Sequence, residues 1–205
     1  MAETLRLAQR IYEAPQKLTP DDFMSHDDYE CHRREVLGLA TSHCRLRRLR
    51  LGDDLSLLFE TRFTGWLQIQ EELRWLARPT QVDIEELLTR CNSLVAKRGK
   101  LIATLFIDSS DRAASRQWAQ SIANKNFSIA LRLAGTVMRG QPQHPSTETL
   151  STVHTFIFRP KASCGPVSEL VWGDSVHLRV AAGQSSGTSA FNNLHRQASC
   201  SQQMA

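Results

Sequence analysis

The segment FETRFTGWLQIQEELRWL, residues 59–76, carries the densest group of side chains that could do chemistry. Carboxylates can transfer protons or bind a cation, and guanidinium groups can hold an anion. Glu71 and Glu60 are therefore the candidate catalytic acids or bases, and Glu71 is also a candidate oxygen ligand. The candidates for binding a substrate are Arg62, Thr64, Gln68, Gln70 and Arg74.

The pattern before these residues predicts a strand. Leu55, Leu57 and Phe59 alternate with other residues, as apolar residues do on one face of a strand. Side chains point alternately to the two faces, so Glu60 and Arg62 share a face if the strand continues. The sequence therefore predicts that these two charged side chains pair.

A helix is predicted to follow, from about Thr64 to Leu76. Gln68 and Glu71 lie on one line along it, because residues three or four apart are neighbours on a helix. Trp75 ends the same line, and an aromatic residue there indicates partial burial. We therefore expect Glu60, Arg62, Gln68 and Glu71 to converge, substantially buried, where the strand meets the helix.

Two interpretations of this polar group stay open. Buried carboxylates need partners, which Arg62 and Arg74 could supply within a structural network that fixes the strand to the helix. The same side chains could instead form a ligand site. An ordinary solvated face is the third and simplest interpretation.

Other parts of the chain offer weaker candidates. The pairs Cys31-His32 and His43-Cys44 resemble metal ligands, but they fall on one predicted helix and would lie about 18 Å apart. They are not expected to share an ion. His144, His154 and His177 show no ligand spacing, so the sequence assigns no metal site.

A basic run, CRLRRLRLG, spans residues 44–52. It ends a predicted helix that runs from about residue 26 to about residue 47, and basic residues are favoured near a helix C-terminus. A solvated helix end is therefore the preferred interpretation. Weak binding of an anionic ligand or nucleic acid through Arg45–Arg50 is the alternative, and nucleic acid is not expected because no aromatic residues are interleaved.

Composition and missing motifs exclude several classes of protein. The 205 residues include five cysteines, an odd number without a CxxC pair, which argues against a disulfide framework. The longest apolar runs are too short to span a membrane, and the first residues lack the apolar core of a secretory signal. We therefore expect a cytoplasmic protein. Sequence signatures of serine hydrolases, P-loop NTPases, dinucleotide-binding folds and zincins are missing.

The order of predicted elements indicates the fold class. Helices and strands mix before Phe127, and consecutive strands follow it, which favours an α+β fold with a mainly antiparallel sheet. The predicted single domain contains N-terminal and inserted helices beside this sheet in the chain order, with 101–107 as an internal strand. The predicted organisation is an N-terminal extension (1–18), the α+β domain (19–181) and a disordered Ser/Gln-rich tail (182–205).

The segment FETRFTGWLQIQEELR also resembles the signature of an uncharacterised bacterial family, a domain of unknown function, in the form FExRxTxxxQIQEExR. The resemblance extends to KLTPDDF, DDYE and HRREV upstream and to ELLTRCNSL, HTFIFRP and DSVHLRV downstream, and it covers roughly residues 17–181. Family members are often encoded beside rubrerythrin-like and iron–sulfur proteins, which implies redox or iron-linked metabolism and iron as a cofactor. The chain departs from the family at WLARPT, where an acidic segment is usual.

The sequence thus favours a cytoplasmic bacterial protein of redox, iron-linked or specialised small-molecule metabolism. Its partner would be a small molecule or a redox partner protein, with no membrane involved. The alternative is a non-catalytic adaptor that binds a partner protein. Neither the cofactor nor the oligomeric state is fixed by the sequence.

Overall fold

The computed structural model describes residues 6, 10–11, 17–76, 78–95, 100–124, 127–133, 136–143, 151–159, 167–172 and 176–179. The predicted tail, most of the predicted N-terminal helix and His144 lie outside these residues. The chain divides into two compact units. The helical unit comprises residues 1–45 and 60–97, and the sheet unit comprises residues 46–59 and 98–205.

The described helices follow residues that cap their first turns. They are the 3₁₀ helix Pro20–Asp22, α1 (His26–Arg45), α2 (Arg62–Trp75), α3 (Gln81–Asn92) and α4 (Arg112–Ala123). Ser25 Oγ accepts the backbone N–H of Asp28 at 3.1 Å at the start of α1, and Thr80 caps α3 through the N–H of Asp83. Each cap satisfies a backbone donor that the first helical turn leaves without a partner.

The strands form two sheets in the sheet unit. They are β1 (Arg48–Leu51), β2 (Leu55–Phe59), β3 (Leu101–Ile107), β4 (Ile129–Leu133), β5 (Thr136–Arg139), β6 (Gln141–Pro142), β7 (Val153–Phe158), β8 (Val167–Trp172) and β9 (Val176–Arg179). The strand orders are β1-β2-β3-β7-β6 and β5-β4-β8-β9, and the described neighbours pair antiparallel. The predicted α+β class with a mainly antiparallel sheet is confirmed. The predicted internal strand is also confirmed, because β3 pairs with both β2 and β7.

Each unit buries its own apolar side chains. In the sheet unit, alternate residues of the first sheet point to one core, and the register sets Leu49 beside Leu57 and Leu57 beside Leu105. In the helical unit, α1, α2 and α3 surround Trp66 and Ile69. Ile11 belongs to this second core, although the sequence places it in the N-terminal extension.

Two predicted boundaries are wrong. Strand β2 ends at Phe59, and Arg62 is the first residue of α2, so strand alternation does not orient Glu60 and Arg62. Helix α1 ends at Arg45, and the RLRL sequence that follows forms strand β1. Alternation of polar and apolar residues, with antiparallel pairing to β2, outweighed the helical pattern there.

The structure also addresses the predicted absence of membrane spans. None of the helices in the described parts of the chain is both long enough and apolar enough to cross a membrane.

Substitution of Gly140 tests the packing of the sheet unit. A Cβ atom there would lie 2.9 Å from Ile129 Cγ2 and from Phe158 Cε1, two side chains that are almost fully buried. Gly140→Ala should lower the free energy of unfolding by about 1–3 kcal/mol, the usual cost of overpacking a core. Urea denaturation followed by circular dichroism measures this change.

The matched control is Gly38→Ala in α1, where nothing lies within 4 Å of the added Cβ. Alanine favours the helix interior, so this variant should gain up to about 1 kcal/mol. Equal stability of the two variants would contradict the close approach at Gly140.

Candidate functional site

A capping box of two threonines opens the helix that carries the candidate residues. The N–H of Thr64 donates to Thr61 Oγ1 at 3.2 Å, and the N–H of Thr61 donates to Thr64 Oγ1 at 2.8 Å. The Thr64 hydroxyl donates to Glu60 Oε2 at 2.5 Å, and His43 Nε2 lies 3.0 Å from Thr61 Oγ1. The buried Glu60 carboxylate therefore anchors the start of α2, where the helix dipole favours an anion.

Arg62, at the first position of α2, is a buried cation. Its side chain is 7 % exposed, and Nη2 donates to Asp22 Oδ2 at 2.7 Å. Nη1 donates to the backbone carbonyl of Ile11 at 3.1 Å. Trp66 Nε1 donates to the Asp22 carbonyl at 2.9 Å, so α2 binds both the side-chain carboxylate and the backbone carbonyl of Asp22. Arg62 is thus a structural tie to the segment before α1.

The Asp22 carboxyl shows the electrostatic effect of this tie. Burial raises its pKa, but hydrogen bonds from the Thr19 backbone and from Arg62, together with the charge of Arg62, outweigh burial and leave the pKa lowered. Asp22 therefore carries its charge in the folded protein and stabilises the fold in that form.

The Gln70 side chain makes two hydrogen bonds to the backbone just before α1. Its Oε1 accepts the N–H of Met24 at 3.1 Å, and its Nε2 donates to the Met24 carbonyl at 3.2 Å. The side chain is buried, so both halves of the amide are used internally. Gln70 is thereby removed from the set of groups that can contact a substrate.

Glu71, the principal candidate for acid/base chemistry, joins α2 to α1. Arg33 donates to both carboxylate oxygens, from Nε to Oε1 and from Nη2 to Oε2, each at 2.9 Å. The Tyr29 hydroxyl donates to Oε1 at 2.6 Å. The Arg33 hydrogen bonds hold the pKa of Glu71 below its usual range despite partial burial, and Tyr29 adds to this effect. The same contact and burial raise the pKa of Tyr29.

The remaining candidates lie on the outside of α2. Gln68 is exposed and donates from Nε2 to Glu72 Oε1 at 3.2 Å. Arg74 pairs with Glu30, and its guanidinium carbon lies 4.9 Å from the centre of the Trp75 ring. These contacts lie on the surface of α2 and not in a shared buried centre.

The expected convergence of four side chains is therefore wrong in its geometry. Glu60 lies with the threonine capping box, Arg62 with Asp22, and Glu71 with Arg33 and Tyr29. Gln68 is not buried. Glu60 and Arg62 do not share the face of a strand, because β2 ends at Phe59 and α2 begins at Arg62.

The other sequence candidates occupy ordinary positions. Among the residues that the structure describes, no group of three or more His, Cys, Asp or Glu side chains could hold a metal ion. The two Cys-His pairs lie near opposite ends of α1. Arg48 and Arg50 contact Asp108 at 3.2 and 3.3 Å, so a carboxylate already offsets part of their charge.

Sequence reasoning missed Asp22, Tyr29 and Arg33, which hold Arg62 and Glu71. A signal for them was present, since Tyr29 and Arg33 are four residues apart and share a face of the predicted helix. The segments KLTPDDF, DDYE and HRREV, which carry the family resemblance, contain all three. Nothing in the sequence, however, joins them to residues some 40 positions further along.

Comparison with known proteins supports the relationship that the sequence indicates. Residues 17–189 match the model of a family described as protein of unknown function (DUF3501), and because this match covers most of the chain, the chain belongs to that family. No curated protein matches it.

The fold is also found in a solved structure. A crystal structure of a protein of unknown function from Burkholderia pseudomallei is similar to this chain, with a TM-score of 0.71 and 21% sequence identity. The similarity covers 85% of this chain and 96% of that one. At this level of identity the comparison establishes the fold alone.

Replacement of Arg62 tests its structural role. Arg62→Ala leaves the Asp22 carboxylate, whose side chain is 13 % exposed, without its cation. Breaking a buried ion pair in this way costs about 3–5 kcal/mol of unfolding free energy. The control is Arg90→Ala. Arg90 is 57% exposed in its pair with Glu72, so its replacement should cost less than about 1 kcal/mol of unfolding free energy. Similar losses for both variants, measured by urea denaturation, would refute the assignment.

The pH dependence of stability tests the Glu71 contacts. A carboxyl whose pKa is lowered on folding stabilises the fold above its unfolded pKa, and this contribution is lost as the pH falls through the folded pKa. Glu71→Gln should therefore be less stable than the wild type at pH 7, and the difference should shrink below about pH 4. Thermal unfolding of both proteins from pH 7 to pH 2 measures the difference in stability. A difference that stays constant with pH would count against the ion pair between Arg33 and Glu71.

Proposed function

We propose that this member of the DUF3501 family is a non-catalytic protein that binds a partner protein in redox or iron-linked metabolism of the bacterial cytoplasm. The observation that carries this proposal is a set of three exposed apolar residues around the turn between α2 and α3, which we call the exposed cluster. Trp75 is 78% exposed at the end of α2, and Leu76, which follows it, and Val82, near the start of α3, are also exposed.

The contacts of Glu71 favour binding over catalysis by this segment. A general base needs a lone pair within reach of a substrate proton and a pKa near the working pH. Both oxygens of Glu71 accept hydrogen bonds from Arg33, and the pKa is lowered. A carboxylate stabilised in this way is a weak base, and its function is to fix α1 to α2.

The exposed cluster has the composition of a binding surface. An isolated exposed leucine needs no explanation, but an exposed tryptophan beside other large apolar residues does. Tryptophan is also enriched among the residues that contribute most to binding energy at protein interfaces. The Arg74 guanidinium lies over the indole ring of Trp75 and limits its rotation, which reduces the entropy lost on binding.

The metabolic context comes from the family resemblance. Members that share the FExRxTxxxQIQEExR signature are often encoded beside rubrerythrin-like and iron–sulfur proteins, so proteins of these two kinds are the partners that we propose. Iron would then belong to the partner and not to this chain.

Binding to purified candidates tests the proposal. The rubrerythrin-like and iron–sulfur proteins of the native host are immobilised, and the dissociation constant of the full-length chain is measured by biolayer interferometry. Trp75→Asp should weaken binding at least tenfold, as expected for a tryptophan at the centre of an interface.

The matched control is Val137→Asp, which places the same charge at a half-exposed apolar position in the sheet unit. This variant should bind like the wild type. The proposal fails if none of the candidate proteins binds, or if both variants lose affinity equally.

A further inference from the structure

A groove on the helical unit lies beside the exposed cluster. Helices α2 and α3 line it with Glu72, Leu76, Asp83, Glu86, Leu87 and Arg90. A second hollow is lined by Val82, Glu85, Glu86, Thr89 and Arg90. The two hollows are shallow and share Glu86 and Arg90, and we call the surface that they make up together the α3 groove.

The spacing of its residues makes the α3 groove a complete helix face. Val82, Glu85, Glu86, Thr89 and Arg90 occupy positions i, i+3, i+4, i+7 and i+8 of α3. Residues at this spacing form one stripe along a helix, here about 12 Å long. A stripe of two turns beside a hollow lined by residues of α2 and α3 is a surface against which a second helix can pack.

The α3 groove carries mostly negative charge. Its lining holds four carboxylates, from Glu72, Asp83, Glu85 and Glu86, and one guanidinium, from Arg90. Arg90 is paired with Glu72.

Two of the other carboxylates are bonded to neutral groups. Asp83 accepts hydrogen bonds from Thr80, and Glu85 accepts one from Gln81 Nε2 at 3.0 Å. Their negative charges therefore remain available near the apolar side chains of Leu76, Val82 and Leu87, which also line the groove.

We propose that the α3 groove binds a cationic amphipathic helix of the partner protein. Apolar residues of that helix contact Leu76, Val82 and Leu87, and its lysine or arginine residues face Glu85 and Glu86. This inference rests on the proposed function and specifies the chemistry of the partner. A second copy of this chain is disfavoured as the occupant, since a symmetric contact would set the same carboxylates against each other.

A designed peptide tests this chemistry with the full-length chain. The probe is a synthetic helix of leucine and lysine at amphipathic spacing, and its counterpart carries glutamate in place of lysine. Calorimetry should detect binding of the cationic peptide and not of the anionic one. The affinity should fall at least tenfold when the salt concentration rises from 50 to 300 mM, on the order expected for several screened charge contacts.

Charge reversal locates the contact. The double variant Glu85→Lys and Glu86→Lys should bind the cationic peptide at least tenfold more weakly than the wild type. The control is the double variant Asp27→Lys and Asp53→Lys, which makes an equal charge change at exposed sites elsewhere and should leave the affinity unchanged. Circular dichroism confirms that both variants are folded. The inference is overturned if the two variants bind equally, if the anionic peptide binds as well, or if the wild type proves to be a dimer that the groove substitutions dissociate.

The outcomes separate this inference from the proposed function. Suppose that Trp75→Asp weakens binding of the native partner but that Glu85→Lys with Glu86→Lys leaves its affinity unchanged. The partner-binding function then stands, and the groove assignment is wrong. If the peptide binds in the groove but none of the native candidates binds, the groove assignment stands and the proposed function is wrong.

Discussion

The buried charge of Arg62 is the constraint on which the helical unit depends. A cation at the first position of a helix opposes the helix dipole, and a cation removed from water needs a partner. Asp22 and the carbonyl of Ile11 supply that partner, so the 3₁₀ helix and Ile11 must lie against α2. The Trp66 indole then adds its own hydrogen bond to the Asp22 backbone.

The other polar residues of the segment extend this constraint along α2. Gln70 fixes the Met24 backbone, and Glu71 fixes Tyr29 and Arg33 of α1. Apolar packing alone tolerates small rotations of one helix against another, but directional hydrogen bonds allow only one register. Gln70, Glu71 and Arg74 therefore restrict how α1 packs on α2, as the structural-network interpretation of the sequence expects for Arg74 but with different partners for the rest.

Local patterns in the sequence predicted much of the fold. The sequence located α1 to within about two residues, and it identified β3 in the run LIATLFI as an internal strand. The failures occurred where two local patterns competed, as at RLRL after α1, or where a partner lay far away in sequence. Spacing within residues 59–76 cannot reveal Asp22 or Arg33, because long-range contacts are set by tertiary packing. The sequence thus identified which residues are unusual but not what they contact.

Three side chains on α2 depart from the usual distribution of buried apolar and exposed polar residues. Arg62 and Gln70 are buried, whereas Trp75, the largest apolar residue at the end of the helix, is 78% exposed. The buried polar groups are explained by their hydrogen bonds within the unit. Stability does not explain the exposed indole, since a polar residue at that position would fold at least as well and would avoid nonspecific association. A folded-state contact with Arg74 accounts for its orientation but not for its exposure. The exposure of Trp75 is therefore the observation that supports our proposal that this surface is one half of an interface.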